Sequence, residues 1–166
     1  MGHSMGGIIT NIYATIYDNF DGAIILAAPM ESPNLGPFNF LPYKLFGFLR
    51  FKTDYKDERL SHFPPSDNVD PYALKYFTLR LVGDLMKTGM KYFHKNISNY
   101  TKPILVLHGT EDKLVPYQQS ENFIKKIPAK DKTLKLIEGG YHNLNHDTVT
   151  DEVGKEIVAW LDQKTA

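Results

Sequence analysis

The first seven residues, Met-Gly-His-Ser-Met-Gly-Gly, place the pattern Gly-x-Ser-x-Gly around Ser4. A serine hydroxyl is a weak nucleophile, and it attacks a carbonyl only when it stands clear of the backbone within reach of a base. A sharp turn from strand into helix gives it that exposure, and the spacing predicts such a nucleophile elbow here. The turn crowds the positions on either side of the serine, which accounts for glycine at both. The helix that follows would aim its free N–H groups and its dipole at an oxyanion. The backbone N–H of Met5, the residue after the nucleophile, would be one oxyanion donor.

Such a serine needs a base, and the base needs an acid to fix its tautomer. Asp112 is preferred as the acid over Glu111 and Asp131, because it lies in the turn directly after an apolar run that ends at Gly109. Its alternative role is to cap the helix near residue 117. Two histidines compete for the base in Tyr-His-Asn-Leu-Asn-His at 141–146. His142 is preferred because it follows the Gly139-Gly140 turn sooner and can project over the end of a sheet, whereas His146 falls near the start of the last helix. His108 reads as a satisfied structural histidine. His3 is expected near the site but pointing away from it. His62 and His94 fall in an insertion with no evident partner. The order Ser4, Asp112, His142 is the chain order of triads built on such an elbow.

These residues must be positioned by elements. Ile8, Ile9, Ile12, Tyr13 and Ile16 repeat at helical spacing over 8–17, and 22–28 reads as a short strand buried on both faces. Residues 102–109 form another buried strand, 117–127 a helix with Phe123, Ile124 and Ile127 inward, and 132–137 an alternating strand nearer an edge. The last helix runs over 148–163 with Val153, Ile157, Val158, Trp160 and Leu161. Buried strands alternating with helices predict a parallel sheet with helices on its faces, and sites in such sheets sit at the carboxyl ends of strands. Ser4, Asp112 and His142 each fall just past one.

The middle of the chain differs. Six of the fourteen residues over 38–51 are aromatic, and Leu41, Leu45 and Leu49 recur every fourth residue. This predicts an apolar helix starting near Pro42, either a core helix or a lid whose rings, Phe46 and Phe48 among them, face a lipid-like substrate or a membrane interface. Residues 52–70 are charged and broken by prolines, and Asp70-Pro71 is expected to open a helix striped by Leu74, Phe77, Leu81, Val82, Leu85 and Met86 toward Met90 and Phe93. Residues 1–37 and 101–166 are therefore read as the α/β core, and 38–100 as a mostly helical cap insertion.

Composition excludes several classes. The 166 residues carry 19 basic and 19 acidic side chains, so no nucleic acid or strongly anionic surface is expected as the main partner. There is no cysteine, which fits a cytoplasmic location, and no secretion signal; the sequons at Asn96 and Asn99 are read as chance. His142 and His146 are four apart but lack the neighbouring Glu of a metalloprotease helix, so no metal is expected.

Gly-His-Ser-Met-Gly-Gly at 2–7, Leu-His-Gly-Thr-Glu-Asp-Lys-Leu-Val-Pro at 107–116 and Glu-Gly-Gly-Tyr-His-Asn-Leu at 138–144 resemble the α/β-hydrolases of the monoacylglycerol lipase and lysophospholipase type, the serine aminopeptidase S33-like group. The resemblance implies Ser4 as nucleophile, Asp112 as triad acid and His142 as base. It implies hydrolysis of a small acyl ester, a monoacylglycerol or lysophospholipid, without a cofactor. It also implies an amino-terminal half, with a His-Gly loop carrying the second oxyanion donor, that has no counterpart before Ser4. The strand at 22–28 is then expected to show an open apolar edge. The chain is expected to pair with itself, to pair with a separate chain that supplies the missing half, or to be part of a longer chain, and to touch membranes at most peripherally through its cap. The alternative is a truncated, inactive remnant that oligomerises or binds apolar ligands.

Overall fold

The computed structural model describes residues 1–32, 42–63 and 71–165. Its centre is a four-stranded sheet of β1 (Gly2–His3), β2 (Ala23–Leu26), β5 (Ile104–Gly109) and β6 (Lys132–Ile137), in that spatial order and parallel throughout. Helix α1 (Met5–Ile16) connects β1 to β2, α4 (Gln118–Lys126) connects β5 to β6, and α5 (Thr150–Thr165) follows β6. The fold is that of an α/β-hydrolase, with β6 at one edge as its alternating pattern predicts.

The two central strands are buried at every position, and apolar but for His108 and Gly109 near the end of β5, because both faces are covered. Ile25, Ile104 and Val106 turn to one core with Ile8, Phe93 and Phe123, drawn from three helices. Ile24, Leu26, Leu105 and Leu107 turn to the other, with Leu144, Val153 and Trp160. Each such side chain contributes about 1.5–3 kcal/mol on burial. Val158 and Leu161 of α5 stay exposed. Helix α1 also has two faces. Ile8 and Ala14 are buried, whereas Met5, Ile9, Tyr13 and Ile16 are exposed. Beside it, β1 covers only Ile25 and Leu26 of β2 on that side, so the edge is part-filled.

The insertion departs from expectation in two places. Residues 38–41 of the expected aromatic helix lie outside the described residues, and 42–49 form turns that lead into strand β3 (Arg50–Lys52). One turn closes with Leu45 N and Phe46 N donating to Pro42 O, then the chain bends at Gly47. A Cβ there would sit 2.8 Å from Tyr43 O and 2.9 Å from Arg80 Cβ, so the close approach of a second segment replaces helix continuation. The second departure follows from the first. Residues 71–75 are not helical, and β4 (Tyr76–Thr78) pairs antiparallel with β3, stacking Phe77 on Phe51 at 5.6 Å. The aromatic cross-strand pair outweighs the helical spacing. Asp70 lies outside the described residues; the helix starts instead at Thr78, whose Oγ1 accepts from Leu81 N at 3.2 Å.

From there α2 (Leu79–Gly83), a π-helical stretch (Asp84–Gly89) and α3 (Met90–Lys95) run on, and α3 buries Met90 and Phe93 against the sheet's helical face. Gly83 admits the Tyr43 ring, and Gly89 faces Ile12 of α1.

At the other end of the sheet, β5 and β6 finish side by side. Thr110 N donates to Ile137 O at 3.0 Å, and Glu111 N to Gly140 O at 3.1 Å. Gly109 is required here, because a Cβ would overlap the Gly140 carbonyl. Gly109→Ala should therefore displace the 139–142 backbone and cost about 3 kcal/mol. Urea unfolding should show a lower midpoint with an unchanged slope; an unchanged midpoint would mean the two loops yield freely.

Candidate active site

Ser4 sits between β1 and α1 with φ 51° and ψ −118°, a left-handed conformation that costs a non-glycine residue about 1–3 kcal/mol. The surrounding structure holds it there: Ser4 N donates to Leu26 O at 2.9 Å, and Gly7 N donates to Ser4 O at 2.9 Å. The crowding differs from expectation. A Cβ at Gly2 would overlap the Gly6 carbonyl and one at Gly7 would overlap Ala28 Cβ, while Gly6 has open space around it. The tight positions are thus Gly2 and Gly7. Met5 is the first residue of α1, so its N–H belongs to the first turn, where helices leave donors without an intrahelical carbonyl.

The three residues expected to act together do meet. Ser4 Oγ lies 2.8 Å from His142 Nε2, and His142 Nδ1 lies 2.8 Å from Asp112 Oδ2. A carboxylate only accepts, so His142 carries its proton on Nδ1 and offers Nε2 to the serine hydroxyl. Asp112 is fully buried, and burial alone would raise its pKa. Hydrogen bonds from His108 and His142, with the Val115 N–H, outweigh that and hold it well below the usual carboxylate range. Its other oxygen accepts Leu114 N at 2.8 Å and Val115 N at 2.9 Å, which fixes the loop after β5 rather than capping α4.

His108 is buried and fully engaged. Its Nε2–H points to Val115 O at 2.9 Å and Asp112 Oδ2 at 3.2 Å, and its Nδ1 accepts from Ser120 Oγ at 2.7 Å. His3 is not turned away. Its Nε2–H donates to the His142 carbonyl at 2.9 Å, and the two rings stand 5.2 Å apart. Burial lowers its pKa, keeping the ring neutral beside His142. The expectation failed because the loop carrying His142 comes within hydrogen-bond reach of this ring, a long-range contact. His62 has a partner after all, Asp147, at 2.8 Å. His146 lies in a one-turn 3-10 helix (Leu144–His146), with its ring against Phe63. Phe46 and Phe48 lie on the turn before β3, 37% and 72% exposed. Among the described residues no group of three or more His, Asp or Glu could hold a metal ion, and no helix is long and apolar enough to cross a membrane.

An elbow serine, a loop histidine and a buried aspartate at the carboxyl edge of a parallel sheet define the serine hydrolases of the α/β class. The chain belongs to the serine aminopeptidase S33 family, whose model matches residues 1–149. It is similar to the monoglyceride lipase of Rattus norvegicus, at 27% identity across 100% of this chain and 58% of that protein. Among solved structures it is similar to a monoacylglycerol lipase of Paleococcus ferrophilus (TM-score 0.81, 26% identity, 98% of this chain and 67% of that one). A soluble variant of the Saccharomyces cerevisiae monoglyceride lipase in complex with a substrate analog also matches (TM-score 0.79, 26% identity, 98% and 60%). The chain thus spans 58% of the rat protein's length.

Asp112 makes stability depend on pH with a definite sign. Its folded pKa lies below the ordinary 3.8, so its contribution is fully present above that value and is lost as pH falls through the folded one. His3 and Asp147, both lowered, act in the same direction from their own ordinary values. The melting-temperature gap between wild type and Asp112→Asn should therefore shrink as pH drops below about 4. A gap that stays constant down to about pH 2 would show that the carboxylate's charge plays no part.

Proposed function

We propose that this chain carries the catalytic centre of a serine hydrolase that cleaves carboxylic esters of acyl lipids, of monoacylglycerol or lysophospholipid type. The observation that carries the reading is the unbroken relay from Ser4 Oγ through His142 to Asp112, at 2.8 Å for each step. His142 takes the serine proton as Oγ attacks the ester carbonyl, and later returns a proton to the leaving alkoxide. Asp112, ionised and buried, stabilises the imidazolium in between. Met5 N–H faces the developing oxyanion with the α1 dipole behind it. The substrate class is supported by the monoglyceride lipases among the relatives. Residues 1–37 and 101–166 form the core on this reading, and 38–100 the cap.

One donor is a weak oxyanion hole. Removing a donor in known hydrolases costs about 3 kcal/mol, or 10²–10³ in rate. On this reading a second donor comes from a segment or surface that pairs with these residues, and without it esters are turned over slowly. The exposed Met5, Ile9, Tyr13 and Ile16 of α1, next to the part-filled edge of β2, favour such pairing, with a second copy or an amino-terminal half.

A fluorophosphonate probe should label the wild-type chain at Ser4 and leave Ser4→Ala unlabelled, while p-nitrophenyl butyrate is hydrolysed roughly 10²-fold more slowly than by ordinary esterases. No label at Ser4 would reject the triad and favour the inactive, ligand-binding alternative. A second measurement addresses the cap. If Phe46 and Phe48 contact acyl chains, replacing both with Ser should lower kcat/KM for long-chain esters about tenfold more than for short ones. An equal loss for both lengths would remove the two rings from the substrate site.

A further inference from the structure

A second carboxylate is buried in the loop that carries His142, and the triad does not use it. The side chain of Asp147 is fully inaccessible to solvent. Hydrogen bonds satisfy both its oxygens. Oδ2 accepts Tyr141 N at 2.9 Å. Oδ1 accepts Thr148 N at 2.8 Å, His62 N at 3.1 Å and the His62 Nδ1–H at 2.8 Å. Burial pushes its pKa up, and these donors bring it below the ordinary value. Two of the four donors come from Asp147's own loop. The other two come from one residue of the insertion, 85 positions away.

That residue belongs to a short strap, residues 60–63, laid along the His142 loop. Asn143 N donates to Leu60 O at 2.7 Å. Ser61 Oγ donates to His146 O at 2.7 Å. The His62 ring lies over the Tyr141 ring at 3.8 Å, and Phe63 packs on His146 at 5.7 Å. Three consecutive backbone positions are therefore pinned from three directions. Tyr141 N is held by Asp147, His142 O by the Nε2–H of His3, and Asn143 N by Leu60 O.

We propose that Asp147 is a positioning residue that ties the strap at 60–63 to the His142 loop, so that the reach of His142 toward Ser4 depends on the insertion being docked. This rests on the triad reading above and adds the route by which the insertion acts on it. If the strap lifts, Asp147 loses half its donors and cannot remain a dry, ionised group. The loop must then open to admit water, and Tyr141 and Asn143 lose their anchors with it. A shift of about 1 Å at a reacting group is enough to cost 10²-fold in rate. The base would then be in register only while the strap is docked.

Two variants test this. Asp147→Asn keeps the shape but turns an amide donor toward one of the N–H groups, so one contact becomes donor against donor. His62→Ala removes the ring and its Nδ1–H without touching a buried charge, and it keeps the test in hand if the first variant fails to fold. Amide exchange over 141–147 should rise about tenfold in both, and the second-order rate of fluorophosphonate labelling at Ser4 should fall about tenfold, the equivalent of one lost hydrogen bond. For p-nitrophenyl butyrate, kcat should fall with KM nearly unchanged, and exchange in β5 should stay as in wild type. Unchanged exchange over 141–147 overturns the proposal, as does faster exchange with an unchanged labelling rate. A wild-type chain that takes no label fails the triad reading instead, and the exchange measurement alone then decides whether strap and loop move together.

Discussion

An ionised carboxylate taken out of water must find donors for both oxygens, and Asp112 finds them in neutral N–H groups, with no Lys or Arg among its hydrogen-bond partners in the described residues. This constraint organises the site. Two backbone amides fix the loop after β5, and two imidazoles must each present a proton to the same oxygen. That demand sets both tautomers, Nδ1–H at His142 and Nε2–H at His108. His108 then needs a donor for its remaining nitrogen and takes one from Ser120 on α4. The protonation pattern that leaves His142 Nε2 open to Ser4 is thus anchored in the helix behind the sheet. A Lys or Arg partner would have satisfied the charge with less structure, but it would have left the tautomer of His142 unspecified.

The serine is held by strain of a different kind. Ser4 and Ala27 both have positive φ without being glycine, at 51° and 45°, and they lie at the ends of paired strands β1 and β2. Each is locked by a backbone bond to the next strand inward: Ser4 N to Leu26 O, and Ala27 N to Leu107 O, both at 2.9 Å. Such conformations persist only where the neighbours over-determine them. Here the neighbours are Leu26 and Leu107, both in the core that α5 covers. Packing against the last helix and the exposure of the first nucleophile are therefore one problem, although 150 residues of chain separate them.

The parts of this arrangement that the sequence discloses are those with a one-dimensional signature. Continuous apolar runs mark β2 and β5 because both faces are buried. Gly-x-Ser-x-Gly marks the elbow, and the turns after β5 and β6 mark Asp112 and His142. The hidden parts depend on a second segment arriving. The leucines at every fourth position near 45 look helical, yet Gly47 sits where the Arg80 side chain packs, and the chain turns instead. Phe77 reads as one member of a helical stripe until Phe51 is known to lie beside it. The crowded glycine after Ser4 is Gly7 and not Gly6, because the obstacle is Ala28 on the next strand. Asp147 has no sequence signature, since its partners at 62 and 141 belong to different elements. His3 needed the same long-range knowledge.

Among the described residues the insertion meets the core through contacts of two kinds. On one side α3 buries Met90 and Phe93 in the main core, and Ser32 Oγ donates to Met86 O at 2.7 Å. This contact is apolar, tight and insensitive to small rotations. The π-helical stretch carries Met86 and, through Gly89, faces Ile12 of α1, so it belongs to this attachment. On the other side the strap at 60–63 is held by hydrogen bonds directional enough that a small displacement breaks several together. On the proposal above, the hydrogen-bonded end is the one that a displacement of the insertion would break first. That end is built onto the residues that flank His142, which is why the proposal links its breaking to the alignment of the base.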